Sequence, residues 1–532
     1  MIKYFLTIFL FVSILIYSQE EHNPNVELPD FVIFGQENIS VRRVDKMGPD
    51  FISTVSNEFL KPSYKPDYLD FAKISNPVEA EFSLLDSAEY RKGYMEMKAG
   101  IYELPEGKLD YTFPFKNGLL HGFVRGINQL SYVENSQRQF LEGAMDFAYT
   151  LPTDLSALPG TKFAINADHS KNLFRFFGSI DPERKRNLNI GNASVTIQNL
   201  YMKDFIFDLN GGGDFTYLDD ETFNETLLYA NAFAKINLKS FSINLKANYQ
   251  HQNLTTDSLS EMNTDAYYFR PTASLEIFNK IMLEGGFTFS AANAEYLNGL
   301  YASVSAEVAK NLIVYGEYSP IGENQTAGNF LRDNQYYDQQ DLNRVFVKKK
   351  NKIRALVKYE YDKYYQIDGG IEYFNTKNLP YFNNPDTSGF FEVLTSDAVS
   401  WNIFMNFLYY LGPYGYFYGT LNYFNVENSA SKKIPYNPSY QATLIYGYDF
   451  LPDWNGEVKF NYISDRYADL ENDEGRKLPS LFNLGLKVSY QMQKNFGLFF
   501  ELNNIFDIKR DTWEGYQEMP IEVLVGANYF FD

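Results

Sequence analysis

Histidine is the side chain most often used for proton transfer near neutral pH, and this chain has only four of them. They lie far apart in the sequence, at His22, His121, His169 and His251. His251 has two carboxylates near it in the sequence, at Asp257 and Glu261, and such a group could support acid–base chemistry. The simpler interpretation of His251, Asp257 and Glu261 is that they are polar residues at the end of a strand. We therefore predict no catalytic residue and no enzymatic activity.

Two acidic clusters and a triple glycine are the other candidates for chemistry. The clusters are Asp219 to Glu221 and the group Glu471, Asp473 and Glu474. Carboxylates in loops bind calcium when their spacing is regular, but neither cluster has that spacing, so we interpret both as solvated loops. Gly211 to Gly213 has no following Lys-Ser/Thr pair, so it is no phosphate loop and more simply bends a strand. We predict neither a metal site nor a cofactor.

Composition restricts the class of protein further. The 532 residues contain no cysteine, which excludes disulfides, thiolate metal sites and a cysteine nucleophile. The net charge of −20 argues against nucleic acid as a partner. Aromatic residues make up 17% of the chain, with 43 Tyr and 47 Phe, as expected if aromatic belts lie at two membrane interfaces.

The first residues have the pattern of an export signal. Lys3 precedes an apolar run from Tyr4 to Tyr17, and Ser18 is a small residue at a plausible cleavage point. The run is short for a membrane-spanning helix. We predict a signal peptide at residues 1–18, and an uncleaved anchor is the alternative.

From about Tyr94 the chain returns repeatedly to period-two alternation, which gives a strand one apolar and one polar face. Ala355, Val357 and Tyr359 alternate with Arg354, Lys358 and Glu360, for example. The runs are joined alternately by short turns, such as Lys239-Ser240, and by long polar loops. The four long loops we predict are Ser319 to Asn343, Asn375 to Ser400, Ser464 to Pro479 and Ser170 to Asn189.

Segregated loop lengths are typical of outer-membrane barrels, whose short turns lie in the periplasm. A soluble sandwich has no reason to separate short and long connections in this way. We therefore predict an all-β fold, a transmembrane antiparallel β-barrel of about 22 strands at residues 93–532. The predicted location is the outer membrane of a Gram-negative bacterium, in contact with its lipid.

The last strand carries the most specific local pattern. Val523, Val525, Tyr529 and Phe531 share one apolar face that ends in an aromatic residue, with only Asp532 beyond it. This resembles the C-terminal signal by which barrel-assembly machinery recognises outer-membrane barrels. An ordinary soluble edge strand is the alternative, and it would leave an apolar edge open to aggregation.

The C-terminal third resembles the barrels of TonB-dependent receptors, especially those of Bacteroidetes-like bacteria. Phe496 to Phe531 carries the resemblance: Asn504, Ile505, Phe506 and Asp507 match the family's Asn-(Leu/Ile)-Phe-Asp element, and a loop and a terminal aromatic strand follow. The resemblance implies a barrel of 22 strands and a receptor or transporter function. It does not identify the solute.

Leu28 to Gly35 resembles the family's TonB box, a segment that a periplasmic partner binds as an added strand. The residues that match are Asp30, Val32, Ile33 and Gly35. A tether without a partner is the alternative. Residues 19–92 form a predicted periplasmic segment that is too short for the family's plug, so we expect a reduced plug, a tail or a docking site.

Two classes of function follow from these patterns. The first is a receptor-like barrel for uptake or capture of an unknown solute, possibly coupled to TonB. The second is a plugless barrel that serves as a structural or partner-binding platform, or a passive porin.

Overall fold

The computed structural model describes residues 92–155, 158–199, 202, 204–219, 223–256, 261–278, 280–338, 345–361 and 365–531. The predicted signal peptide and the TonB-box-like residues Asp30, Val32, Ile33 and Gly35 lie outside these residues, as does Asp532. The described chain begins one residue before the first strand.

The fold is a closed antiparallel barrel. Its first half consists of β1 (Gly93–Gly100), β2 (Glu103–Phe115), β3 (Gly118–Gln129), β4 (Arg138–Thr150), β5 (Lys162–Arg175), β6 (Lys185–Asn199), β7 (Phe205–Leu218), β8 (Phe223–Leu238), β9 (Phe241–Thr256), β10 (Met262–Ile277), β11 (Ile281–Ala292) and β12 (Glu295–Ala309). β13 (Leu312–Tyr318) and β14 (Ile321–Gln325) follow, then the helix α1 (Ala327–Asp333), β15 (Val345–Lys349) and β16 (Ile353–Tyr361).

The second half completes the sheet. It consists of β17 (Tyr365–Asn383), β18 (Glu392–Tyr410), β19 (Tyr416–Asn428), β20 (Tyr440–Leu451), β21 (Trp454–Ile463), β22 (Arg466–Tyr467), β23 (Lys477–Leu478), β24 (Leu481–Gln493), β25 (Phe496–Asn503), β26 (Asp511–Trp513), β27 (Tyr516–Gln517) and β28 (Glu522–Phe531). Single 3₁₀ turns lie at Pro385–Thr387, Gly412–Tyr414 and Glu474–Arg476.

The last strand closes the barrel against the first, with Gly93 opposite Phe531 and Gly100 opposite Leu524. Of the 24 segments in the main sheet, β13 with β14 and β15 with β16 form two continuous barrel strands, which gives 22 strands. The predicted fold class and strand number are confirmed. β22 with β23 and β26 with β27 form small hairpins in loops.

The two faces of each strand follow the predicted alternation. On β16, Ile353, Val357 and Tyr361 are exposed on the outer wall, whereas Arg354 and its alternating neighbours face inward. Apolar residues face outward because a membrane barrel meets lipid on that side and encloses a polar interior. Among the described residues no helix has the length and apolar character needed to cross a membrane.

The connections separate into a turn end and a loop end of the barrel. Two-residue turns such as those at Asn117, Lys239 and Asn311 use a left-handed residue, with φ of 63°, 61° and 66°, which suits the twist of a tight hairpin. The connection of residues 151–161 is a longer exception at the turn end.

Two of the predicted long loops are much shorter than expected. β17 continues to Asn383 and β18 begins at Glu392, so the loop between them is residues 384–391. Likewise β5 and β6 leave only residues 176–184. These strands project beyond the apolar band, where neither face meets lipid, so the alternation that marks a membrane strand is lost although the hydrogen-bonded ladder continues.

Candidate functional site

Loops from different sides of the barrel meet over its opening at the loop end. We call residues 176–184, 326–338, 384–391 and 504–521 the cap. They share one apolar core with the adjoining strand ends, and its buried aromatic members are Phe174, Phe176, Phe223, Phe330, Tyr336, Tyr337, Phe391 and Tyr516. Because the strands that carry these loops lie far apart around the barrel, their contact places a packed core across the opening.

Three glycines from three loops form the closest contact in the cap. A Cβ at Gly178 would lie 2.2 Å from the carbonyl oxygen of Gly515, and a Cβ at Gly389 would lie 2.4 Å from Cα of Ser179. Gly389 and Gly515 also have φ of +78° and +87°, which side chains disfavour. Only glycine therefore lets these loops approach so closely.

Tyr516 lies at the centre of this packing. Its ring stacks on that of Tyr336 with centroids 3.5 Å apart, and its hydroxyl donates to the carbonyl oxygen of Gly389 over 2.7 Å. Burial raises the pKa of both tyrosines well above the usual value. At the edge of the core, Tyr132 donates to the carbonyl oxygen of Gln517 over 2.9 Å, and burial raises its pKa to about 12. The neutral tyrosine hydroxyls thus join one loop to another by hydrogen bonds.

The inner part of the cap is anchored to the barrel wall. The fully buried Arg186 donates to the carbonyl oxygens of Gln335 and Tyr337, and its guanidinium lies 4.6 Å from the ring centre of Phe176. Glu225, a buried wall residue, accepts from the backbone N–H of Gly328 in the first turn of α1 over 3.0 Å. The Glu225 bond fixes α1 against the wall, and the Arg186 bonds fix the segment that follows the helix.

The outer layer of the cap is polar. The Arg476 guanidinium binds the Glu514 carboxylate over 2.5 and 2.9 Å and donates to the carbonyl oxygen of Asn384 over 3.0 Å. This ion pair raises the pKa of Arg476. Arg466 donates to the carbonyl oxygens of Asp511 and Thr512. Residues 464–480 thereby join two cap loops.

The inner wall below the cap carries charges of both signs. Lys98 and Arg125 bind Glu106 over 2.9 and 3.0 Å. His121 lies between two carboxylates, with Nδ1 2.8 Å from Asp146 and Nε2 3.1 Å from Asp110. The wall therefore offers a polar, charged surface to a solute that enters the barrel.

His22 lies outside the described residues, and His121, His169 and His251 lie on three different strands, β3, β5 and β9. His251 binds Asp265 over 2.9 Å rather than the carboxylates that lie close to it in sequence. Asp257 lies outside the described residues, and Glu261 binds Asn253 and Asn263 instead.

The acidic clusters bind protein groups. Asp219 accepts from Lys171 and Asn189, whereas Asp220 and Glu221 lie outside the described residues. Asp473 begins a 3₁₀ turn, and Glu474 accepts from Tyr467 over 2.7 Å. Within the described parts of the chain, no three or more His, Cys, Asp or Glu side chains are grouped so that they could hold a metal ion.

Sequence reasoning missed the cap. Its signal was the concentration of aromatic residues in segments assigned to polar loops, at Phe176-Phe177, Phe390-Phe391 and Trp513. Large aromatic side chains are not expected in a loop that is surrounded by water, so they indicate that the loops pack against one another. The pattern does not show which loops meet.

The proposed insertion signal lies on β28. Val525 and Tyr529 are exposed on the outer wall, and Val523 and Phe531 share their face, whereas Leu524 and Asn528 are buried on the inner side. The predicted faces are confirmed. Recognition by the assembly machinery stays a prediction.

No protein-family model matches the sequence, and no curated protein matches it. The FrpB iron transporter from Neisseria meningitidis has a similar structure, with a TM-score of 0.63 and 10% identity over 84% of this chain and 82% of that one. The copper transporter OprC has a TM-score of 0.62 and 12% identity over 83% of this chain and 80% of that one. The siderophore receptor PiuA from Acinetobacter baumannii has a TM-score of 0.59 and 11% identity over 84% of this chain and 82% of that one. The resemblance to the barrels of TonB-dependent receptors is confirmed at the level of the fold.

Proposed function

We propose that this chain is an outer-membrane receptor barrel that captures or takes up a solute through a gated opening. The cap is the observation that carries the proposal. A passive porin needs a permanently open lumen, whereas here loops from several sides of the barrel share a buried aromatic core over the opening. In the layout of outer-membrane barrels the loop end is extracellular, so the cap faces the source of solute.

The neighbours in fold and the wall below the cap support a proposal for the class of solute. The similar structures are described as transporters or receptors for copper, iron and siderophores. We propose that this chain takes a metal or metal chelate as cargo. The partly exposed charged groups at Asp110, His121 and Asp146 would contact a hydrated or chelated cargo through their hydrogen-bonding atoms.

Coupling to TonB is a separate part of the proposal. It rests on Asp30, Val32, Ile33 and Gly35 and on the barrel fold shared with transporters. The alternative is a platform in which residues 36–92 bind a periplasmic partner. Affinity purification with and without residues 36–92 separates the two, because a platform loses its partner on that deletion whereas TonB capture needs only Leu28 to Gly35.

A tryptophan in the cap provides the test for ligand binding. The chain has three tryptophans; Trp401 and Trp454 are exposed on the outer wall, and Trp513 packs in the cap. In a Trp401→Phe/Trp454→Phe variant, Trp513 is the sole reporter. We expect saturable changes in its emission with copper(II) or a ferric catecholate. The same barrel with Trp513→Phe is the control and should give no signal. Absence of any response, together with a steady large conductance, would favour a porin.

A further inference from the structure

Two positively charged side chains lie next to each other on the lumenal face of the barrel. Lys246 on β9 is directly opposite Arg270 on β10. Both face the lumen, because Tyr267 and Phe269, at the odd-numbered positions of β10, are exposed on the outer wall. Like charges directly opposite each other on one face of a sheet destabilise it. An anion bound between the two cations would remove this repulsion.

The hydrogen-bond donors of both cations are available to a ligand. Among the residues that the structure describes, Lys246 and Arg270 take part in no ion pair and donate no hydrogen bond. Lys352 adds a positive charge that also acts on Lys246. The carboxylates that act on the pair at longer range are Asp208, Glu284 and Glu317. Glu284 and Glu317 accept hydrogen bonds from neutral side chains instead, those of Asn244 and Tyr315.

The ring of Tyr301 holds the Arg270 guanidinium in place. The central carbon of the guanidinium lies 4.3 Å from the centre of this ring, and Tyr301 itself is buried. β11 lies between the two residues, but Gly286, directly opposite Tyr301, has no side chain to separate them. Stacking on a ring uses the face of a guanidinium and leaves its N–H groups at the edge, where they form a fork for an anion. The fork of Arg270 is therefore preorganised.

Two neutral polar side chains form the next row toward the loop end. Tyr268 is directly opposite Asn248, and both lie two residues from the charged pair on the same face. Asn248 donates to Asn231 over 2.6 Å, which fixes its amide. The Tyr268 hydroxyl has no hydrogen-bond partner within the described part of the chain. The two rows together offer two cations and a hydroxyl group to a ligand in the lumen.

We propose that Arg270, Lys246 and Tyr268 bind a carboxylate group of a solute in the lumen. The fork of Arg270 takes both carboxylate oxygens, Lys246 adds a second positive charge, and the Tyr268 hydroxyl binds a polar group beside the carboxylate. A phosphate carries more than one negative charge at neutral pH, which the nearby carboxylates repel, so a singly charged carboxylate fits better. The site concerns binding in the lumen and does not depend on coupling to TonB.

Equilibrium dialysis of the full chain in a neutral detergent against salicylate, a carboxylate with a neighbouring hydroxyl group, tests the proposal. We expect saturable binding of salicylate and none of salicylamide, which has the same shape without the charge. Arg270→Gln should weaken binding about tenfold or more, as for loss of charge-assisted hydrogen bonds. Arg270→Lys keeps the charge without the fork and should weaken it less. Arg354→Gln removes a lumenal arginine that is paired with Glu372 over 2.9 Å and should leave binding unchanged.

The outcomes separate this site from the cap. Dialysis of both the unaltered chain and Gly178→Leu, whose side chain must displace Gly515, keeps a closed cap from hiding the site. Absence of salicylate binding to both would overturn the proposal. Binding that Arg270→Gln leaves unchanged, or that Arg354→Gln weakens equally, would overturn the assignment to Arg270. Inorganic phosphate should compete only weakly, and competition stronger than that of unlabelled salicylate would overturn the choice of a carboxylate.

Discussion

At the scale of single residues, a few side chains decide whether the cap closes. Gly178, Gly389 and Gly515 permit contacts that no Cβ allows, and Tyr516 joins two loops through its ring and its hydroxyl. None of these roles follows from sequence, because a glycine in a loop predicts a turn and not a contact with a loop more than 100 residues away. The alternation that assigns faces to strand residues, by contrast, is local and was predicted correctly.

The ion pair of Arg476 with Glu514 should stabilise the closed cap by about 1 kcal/mol, because both groups are only partly exposed and the pair is bidentate. Arg476→Ala should therefore raise cleavage of residues 504–521 by an added protease about fivefold. Lys171→Ala, which removes an exposed ion pair with Asp219 away from the cap, is the matched control. Equal cleavage of both variants would show that the Arg476 pair is not part of the closure.

Alkaline pH should loosen the cap. Burial raises the pKa of Tyr516 and Tyr336, and that of Tyr132 to about 12, so the closed state retains these phenolic protons at a pH where the opened state releases them. Closure is therefore fully favoured below the ordinary tyrosine pKa of about 10 and weakens as the pH rises toward 12. Emission of Trp513 should follow this change. In Tyr516→Phe the dependence should be weaker, and an unchanged titration would contradict the assignment.

At the scale of elements, the membrane-spanning strands were predictable and their projecting ends were not. Period-two alternation continues only where lipid faces one side, so the projecting ends of β17 and β18, residues 375–383 and 392–400, were assigned to a loop. α1 was also missed, because a helix of seven residues has too few turns for a periodic pattern. Glu225 holds α1 through a tertiary hydrogen bond, and Thr326 caps the N-terminus of the helix through a local one.

The TonB-box-like segment is an element that deletion tests directly. Removing Leu28 to Gly35 should abolish energised uptake of a metal chelate and leave its binding to the cap unchanged, because binding involves the barrel and coupling involves the segment. The measurement compares cell-associated and internalised radioactive iron. Deletion of the eight residues from Val41 to Gly48 is the control. Unchanged uptake after deletion of Leu28 to Gly35 would contradict the proposed coupling to TonB.

At the scale of the whole molecule, the pairing of the last strand with the first closes the barrel, and the cap lies across its loop end. The barrel could be predicted from sequence because each hairpin repeats the same local pattern. The cap could not, because Phe176, Tyr336, Phe391 and Tyr516 come together only after the barrel has closed and brought distant loops to one opening. Its aromatic residues carry no periodicity that specifies their partners.

Single-channel conductance in planar bilayers tests the central claim most directly. The full chain should show almost no current, whereas Gly178→Leu should show discrete openings, since its side chain must displace Gly515. Gly122→Leu has open space around its Cβ and should stay silent. A steady large current through the unaltered chain, as from an open porin, would contradict a closed cap.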